Sequence, residues 1–265
     1  MTSRLTLATF LLATVLSGAA PAADTGFVAR ELVVAGARYR YQVFVPNDYT
    51  PNTAWPVVLF LHGAGDGGED GLRQTRVGLP AQLRAHPERF PMLVVMPQSR
   101  ADKRWAGAMA TQALAALDAT IAEFHGDPER VYLTGLSMGG QGVWQLAAAH
   151  RDRFAAIAPV CGFLDQYAGR EEDRAQVAQS LFGPRSDRYS RFARRLGPMP
   201  AWIFHGDADR VVPVEESRAM AQALRKLGGD VRYSEYAGVG HDAWNRAYAE
   251  PEFVPWLLSH RRQPR

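Results

Sequence analysis

Short apolar segments rich in β-branched residues alternate with longer segments of helical character along most of this 265-residue chain. Their compact, turn-bounded form predicts eight strands: Glu31–Val34, Tyr39–Val45, Val57–Leu61, Met92–Met96, Val131–Thr134, Ala155–Val160, Ala201–Phe204 and Val231–Tyr236. The first two are so close in sequence that they predict an antiparallel hairpin at a sheet edge. Val57–Leu61 and Met92–Met96 are short and apolar throughout, which is typical of central strands buried on both faces. The pattern predicts an α/β fold, with a mostly parallel central sheet of about eight strands flanked by helices.

Four longer segments are compatible with helices: Met109–Phe124, Gly139–His150, Val214–Leu227 and Asn245 to about Ser259. The third has apolar residues at helical spacing and stops at Gly228-Gly229. Between residues 163 and 198 the periodicity weakens and Arg, Asp and Glu become frequent. An insertion at this point of an α/β sheet lies over the carboxyl ends of the strands, where ligands bind. The segment 163–198 is therefore predicted to be a small cap-like insertion.

The amino-terminal residues have the pattern of a secretory signal peptide. Arg4 is followed by the apolar run Leu5 to Leu16 and then by small residues from Ser17 to Ala23. A membrane anchor is the weaker interpretation, because the run is too short to span a bilayer and Pro21 ends it. We therefore expect residues 1–22 to be a signal peptide, residues 23–265 to form one domain, and the protein to be exported to the periplasm or secreted.

Composition limits the possible partners. The net charge of +3 is small, and no basic run is interleaved with aromatic residues, which argues against nucleic-acid binding. The histidines form no H-E-x-x-H motif or other metal-ligand cluster, so neither a metal nor another cofactor is expected. The single cysteine, Cys161, cannot form an intramolecular disulfide, and it is predicted to be a small buried residue at a strand end.

The motif Gly135-x-Ser137-x-Gly139 lies between a predicted strand and a predicted helix. This is the context of a nucleophile elbow, a sharp strand-to-helix turn that exposes a serine hydroxyl. Glycines beside the serine prevent side-chain collisions where the chain doubles back. Ser137 is therefore the predicted nucleophile.

A serine nucleophile needs a base and a carboxylate that orients the base. In α/β-hydrolases these follow the serine in the order carboxylate, then histidine. The loop after the strand ending at Phe204 contains Asp207 and Asp209, and both are candidates for the carboxylate. His241 lies on a glycine-flanked loop after the last predicted strand, which makes it the predicted base.

Acyl transfer also needs two N–H donors for the oxyanion. The N–H of Met138 directly follows the nucleophile, and the N–H of Ala64 belongs to the glycine-rich loop after the strand ending at Leu61. A phosphate-binding loop is disfavoured there because no Gly-Lys-Ser/Thr follows. Four residues near these motifs are candidates for the substrate pocket: His62, Gly63, Trp105 and Trp244. The two tryptophans are explained equally well as packing residues.

Four motifs occur in a fixed order: Leu-His-Gly-Ala-Gly, Gly-Leu-Ser-Met-Gly-Gly, His-Gly-Asp-Ala-Asp-x-Val-Val-Pro and Gly-His-Asp-Ala-Trp. With them the chain, from about Glu31 to Ser259, resembles secreted α/β-hydrolase esterases of the polyhydroxybutyrate-depolymerase and feruloyl-esterase-like group, which includes predicted peptidases. The resemblance implies that Asp209, which ends the His-Gly-x-x-Asp motif, is the acid of the triad and that His241 is the base.

The expected activity is hydrolysis of carboxylic esters through an acyl-enzyme, without a cofactor. The expected substrate is a small-molecule or oligosaccharide ester, of the feruloyl or acetyl-xylan type among others. Relatives that act on insoluble polymers often carry a binding module or extra cysteines, and this chain has neither, which favours soluble esters. Three alternatives remain: a peptidase with the same triad, an acyltransferase, and a non-catalytic binding protein on the same fold.

Overall fold

A computed structural model describes residues 24–164 and 188–262. Its eight strands are β1 (Gly26–Val34), β2 (Ala37–Val45), β3 (Trp55–Leu61), β4 (Leu93–Pro97), β5 (Gly126–Leu136), β6 (Ala156–Val160), β7 (Ala201–Gly206) and β8 (Val231–Tyr236). They form one sheet in the order β1-β2-β4-β3-β5-β6-β7-β8. The β1–β2 and β2–β4 pairs are antiparallel, and the other pairs are parallel. The predicted sheet, including the hairpin at its edge, is confirmed.

Seven helices of the described residues cover the two faces of the sheet: α1 (Leu79–Ala85), α2 (Ala108–Glu123), α3 (Met138–Ala149), α4 (Arg188–Leu196), α5 (Glu215–Lys226), α6 (Trp244–Ala247) and α7 (Phe253–Leu258). Helices α2, α3, α4 and α5 bury apolar side chains against one face. Helices α1 and α7 pack against the other. Since β3, β4 and β6 are buried along their whole length, the sheet is the middle layer of three.

Several boundaries differ from the predicted ones. Strand β1 begins at Gly26 instead of Glu31, because its exposed edge needs few apolar residues to pair with β2. The helix predicted from Asn245 to about Ser259 is two short helices. They are separated at Pro251, which lacks an N–H and disfavours helical geometry in the residue before it.

Two predictions fall mostly or wholly outside the described residues. The signal peptide of residues 1–22 lies there completely, as does most of the cap-like insertion 163–198. At the carboxyl end of that insertion the structure contains α4, which the weak periodicity did not predict. Over the described ranges, no helix has the length and apolar character needed to cross a bilayer.

Candidate active site

Ser137 lies between β5 and α3 with a φ of 55°, a left-handed backbone conformation that is unusual for a residue with a side chain. A Cβ atom on Gly139 would lie 1.9 Å from the carbonyl oxygen of Leu61, and one on Gly135 would lie 2.6 Å from the same oxygen. Both glycines are therefore required by the close approach of α3 to the end of β3. The Ser137 N–H donates to the carbonyl of Val160 on the neighbouring strand at 2.9 Å, which fixes the turn.

His241 reaches the serine from the loop after β8. Its Nε2 lies 2.9 Å from Ser137 Oγ, and its Nδ1 lies 2.7 Å from Asp209 Oδ2. The loop passes directly over the end of β7, where a Cβ on Gly206 would lie 2.2 Å from the carbonyl oxygen of Val239. The three side chains thus form one continuous hydrogen-bonded row.

The two candidate carboxylates have different partners. Asp209 has a fully buried side chain, and its Oδ1 accepts the N–H groups of Val211 and Val212 at 2.8 and 2.9 Å. Asp207 is exposed and accepts the Gly238 N–H at 2.7 Å. Asp209 is therefore the carboxylate that contacts His241, and Asp207 fastens the histidine loop to the end of β7.

The surroundings of Asp209 favour its ionised form. Burial by itself raises the pKa of this carboxyl group. Hydrogen bonds from His205 and His241, together with those from the backbone of Val212 and Val211, outweigh burial and hold the pKa well below its ordinary value. Asp209 is thus a carboxylate over the whole neutral range and can accept the Nδ1–H of His241.

The glycine-rich loop after β3 lies beside Ser137. A Cβ on Gly63 would be 3.8 Å from the Cβ of Ser137. Ala64 and Met138 are each the first residue of a helical turn, so their N–H groups have no acceptor within that turn. Both predicted donors therefore lack an acceptor within their own turn, and the loop that carries Ala64 lies beside Ser137.

His62 and Trp105 hold this loop from beneath. His62 is 1% exposed and accepts the Ser99 N–H on Nε2 at 3.0 Å, while its Nδ1 lies 2.6 Å from the Gly63 carbonyl. Burial lowers the pKa of His62 to about 4, so the ring is neutral at pH 7. Trp105 is 2% exposed and donates to the His62 carbonyl at 3.0 Å.

These positions correct part of the predicted pocket. His62 and Trp105 belong to the packed support of the loop, because their side chains are enclosed by the core. Trp244 is half-buried and lies edge-on to His241, with 5.4 Å between ring centroids. Of the four pocket candidates, Gly63 and Trp244 are the two that lie next to the row of Ser137 and His241.

Cys161, Asp209 and His241 are the one group of His, Cys, Asp or Glu residues within the described ranges whose atoms are close enough to share a metal ion. Burial strongly raises the pKa of the Cys161 thiol, so it stays protonated, and it donates to the His241 carbonyl at 3.5 Å. A thiol is a poor metal ligand compared with a thiolate. The Asp209 carboxylate and the His241 ring lie 2.7 Å apart through Oδ2 and Nδ1, a contact that fits a hydrogen bond between them better than shared binding of a metal ion.

One residue near the site was not predicted from the sequence. His205, the last residue but one of β7, lies 3.2 Å from Asp209 Oδ2 through its Nε2. The available signal was its position four residues before a candidate carboxylate, directly at the end of a buried strand.

Comparison with known proteins shows the family to which this chain belongs. A sequence model of the prolyl oligopeptidase family matches residues 98–260, more than half of the chain. NocK of Nocardia uniformis subsp. tsuyamanensis, which is named as an esterase, is 28% identical over 211 residues, covering 74% of this chain and 52% of NocK. The chain therefore spans about half the length of that relative.

Solved structures have the same fold. One described as a thermostable esterase is 30% identical, with a TM-score of 0.69 over 89% of this chain and 63% of that one. A ferulic acid esterase has a TM-score of 0.66 over 89% of this chain and 99% of its own, at 19% identity, a likeness that shows the fold alone. The family match spans Ser137, Asp209 and His241, and the chain therefore belongs to the prolyl oligopeptidase family, as an esterase-like α/β-hydrolase.

Proposed function

We propose that this protein is a serine hydrolase of carboxylic esters in which Ser137 is the nucleophile, His241 the base and Asp209 the acid. The observation that carries the proposal is the row of hydrogen-bond distances, 2.9 Å from Ser137 Oγ to His241 Nε2 and 2.7 Å from His241 Nδ1 to Asp209 Oδ2. These lie within the range expected for a nucleophile, its base and the group that orients the base.

In the first half of the reaction, His241 Nε2 takes the proton of Ser137 Oγ as that oxygen attacks the ester carbonyl. Asp209 holds Nδ1–H and stabilises the imidazolium that forms. The proton then passes from Nε2 to the leaving alcohol oxygen, the carbon–oxygen bond breaks, and the acyl group remains on Ser137 as an ester.

The negative charge that develops on the carbonyl oxygen is met by the N–H groups of Met138 and Ala64. Loss of one donor of this kind typically costs about 3 to 4 kcal/mol of transition-state stabilisation. The Ala64 donor is a backbone group of the loop that His62 and Trp105 support. The packing of these two side chains therefore bears directly on catalysis.

In the second half, His241 takes a proton from water, and the resulting hydroxide attacks the acyl carbonyl. Collapse of the second tetrahedral intermediate returns the proton to Ser137 Oγ and releases the carboxylic acid. One ester and one water are consumed, and one alcohol and one carboxylic acid are released, so the two halves balance.

A small-molecule or oligosaccharide ester is the proposed substrate class, and the names of NocK and the thermostable esterase support the choice of an ester over an amide. Peptide hydrolysis is the second candidate. The observation that favours it is the match to the prolyl oligopeptidase family.

The test compares p-nitrophenyl acetate, butyrate and octanoate, methyl ferulate, and a peptide p-nitroanilide as substrates of the purified protein. Asp209→Asn is the informative variant, and Asp207→Asn is its matched control on the same loop. We expect ester turnover by the wild type, a loss of several orders of magnitude in Asp209→Asn, and near-wild-type rates in Asp207→Asn.

Each contrary result has a defined meaning. Turnover of the anilide without turnover of any ester replaces esterase by peptidase. Equal losses in both aspartate variants remove the assigned role of Asp209. An inert wild type toward every substrate contradicts the proposed activity.

A further inference from the structure

A second histidine, His205, contacts the carboxylate of the proposed triad. Its side chain is completely buried at the end of β7. The Nε2 atom lies 3.2 Å from Asp209 Oδ2 and 3.0 Å from the carbonyl oxygen of Val212. On the other side of the ring, Nδ1 lies 2.7 Å from the Oγ of Ser217 on α5.

The partners determine where the ring carries hydrogen. Both atoms that face Nε2 are acceptors, so Nε2 carries a proton whether the imidazole is neutral or charged. The Ser217 hydroxyl suits either form, since it can donate to a bare Nδ1 or accept from a protonated one. The ring is therefore held from both ends, with the Nε2–H shared between the Val212 carbonyl and Asp209 Oδ2.

We propose that His205 is a positioning residue for Asp209 and that Ser217 holds His205 in that position. The inference rests on the proposed function, because the group it positions is the acid of that triad. Asp209 Oδ1 is fixed by two backbone N–H groups, and Oδ2 is shared by His205 and His241. With donors on both oxygens the carboxylate cannot rotate, so Oδ2 stays directed at His241 Nδ1.

The bond to Val212 extends this effect to the loop itself. His205 and Val212 lie on either side of Asp209 in sequence, and the hydrogen bond between them closes the loop that presents the carboxylate. The burial of His205 keeps water from competing for Oδ2. Orientation of a functional group by buried hydrogen bonds of this kind is a general way to maintain a site in its working geometry.

Two ionisable neighbours of the His205–Asp209 pair, Glu235 and Cys161, have constant charge states at working pH. Glu235 is the register neighbour of His205 on β8 and is paired with Arg218 at 2.6 Å. The bond to Arg218 lowers the pKa of Glu235 to about 2, so its charge is constant at working pH. Cys161 lies within electrostatic range of Asp209 and Asp242, and its thiol stays protonated because burial raises its pKa.

A pair of isosteric variants tests the role. The amide nitrogen of Gln in His205→Gln reaches the position of Nε2, whereas the amide of Asn in His205→Asn reaches only that of Nδ1. We expect His205→Asn to lower kcat on p-nitrophenyl butyrate about 10- to 100-fold, the effect of losing one hydrogen bond to a charged group. KM stays unchanged because His205 does not touch substrate, and His205→Gln recovers most of the lost kcat.

Rescue by His205→Gln and an unchanged KM separate positioning from stability. His241 and the backbone N–H groups of Val211 and Val212 still donate to Asp209 in His205→Asn, so the carboxylate stays ionised and the loss falls on its orientation. Ile203→Val, on the same strand, is the control for a weakened core, with a lower unfolding midpoint and an unchanged kcat.

Equal kcat values in His205→Asn, His205→Gln and the wild type would overturn the inference. If His205→Asn does not fold, Ser217→Ala carries the test. It is expected to lower kcat and to leave KM unchanged, and an unchanged kcat in that variant also overturns the inference. A wild type that hydrolyses no ester, by contrast, contradicts the proposed function itself.

Discussion

His62 couples the pH dependence of folding to the loop that carries Ala64. The neutral ring accepts the Ser99 N–H on Nε2, and protonation of that nitrogen breaks the bond. Because burial lowers the folded-state pKa to about 4, whereas an unfolded chain has a histidine pKa of about 6.5, the unfolded state takes up the proton first. The stabilisation is therefore complete above about pH 6.5 and is lost as the pH falls toward 4.

These two pKa values set the magnitude. Linkage gives a loss of about 2 kcal/mol in the free energy of unfolding between pH 8 and pH 5, and about 3 kcal/mol once the pH is below 4. His62→Gln keeps an acceptor for Ser99 N–H but has no titrating ring, so it lacks this part of the pH dependence. His86→Gln, at an exposed histidine, is the control for the loss of a histidine as such.

Urea denaturation followed by tryptophan fluorescence at pH 8 and pH 5 measures the difference. We expect the free energy of unfolding of the wild type to fall by about 2 kcal/mol more than that of His62→Gln over this interval. Equal losses in the two proteins would refute it, because the His62 ring would then titrate alike in the folded and unfolded states.

Three further outcomes follow from contacts of single residues. Gly139→Ala places a Cβ 1.9 Å from the Leu61 carbonyl oxygen, and we expect no cooperatively folded protein by circular dichroism; a normal melting curve would contradict this. The thiol of Cys161 is buried with a raised pKa, so Ellman's reagent should label it only in denaturant, and fast labelling of the native protein would count against that burial. Arg188→Met removes the cation 2.7 Å from buried Glu216, which should lower the free energy of unfolding by about 3 to 5 kcal/mol. Adding Glu216→Gln should recover part of that loss in chemical denaturation, and a double variant no more stable than the single one would contradict this explanation.

The sheet was predictable because its signals are local. Central strands such as β3 and β4 are apolar along their whole length, and glycines mark the turn at Ser137, so a short window of sequence contains the information. Helix α4 was not predictable in this way. Its sequence, RYSRFARRL, is dominated by arginine and buries only a few residues, among them Phe192 and Leu196.

The site was predictable as far as chain order determines it. Ser137 and His241 follow from motifs and sequence order, but the choice between Asp207 and Asp209 required a family resemblance. The physical difference between the two aspartates is that only Asp209 turns inward against His241, a fact of tertiary structure. The contact of His205 with Asp209 and the enclosure of Trp105 likewise arise from packing between elements distant in sequence.

The proposed function depends on Ser137 being a nucleophile that His241 activates. Reaction of the purified protein with a fluorophosphonate, followed by intact mass and peptide mapping, tests it most directly, because the reagent forms a stable adduct with an activated serine. We expect one adduct per chain, located on Ser137, with none in Ser137→Ala and a much slower reaction in His241→Ala. An unmodified wild type, or an adduct on another residue, would contradict it.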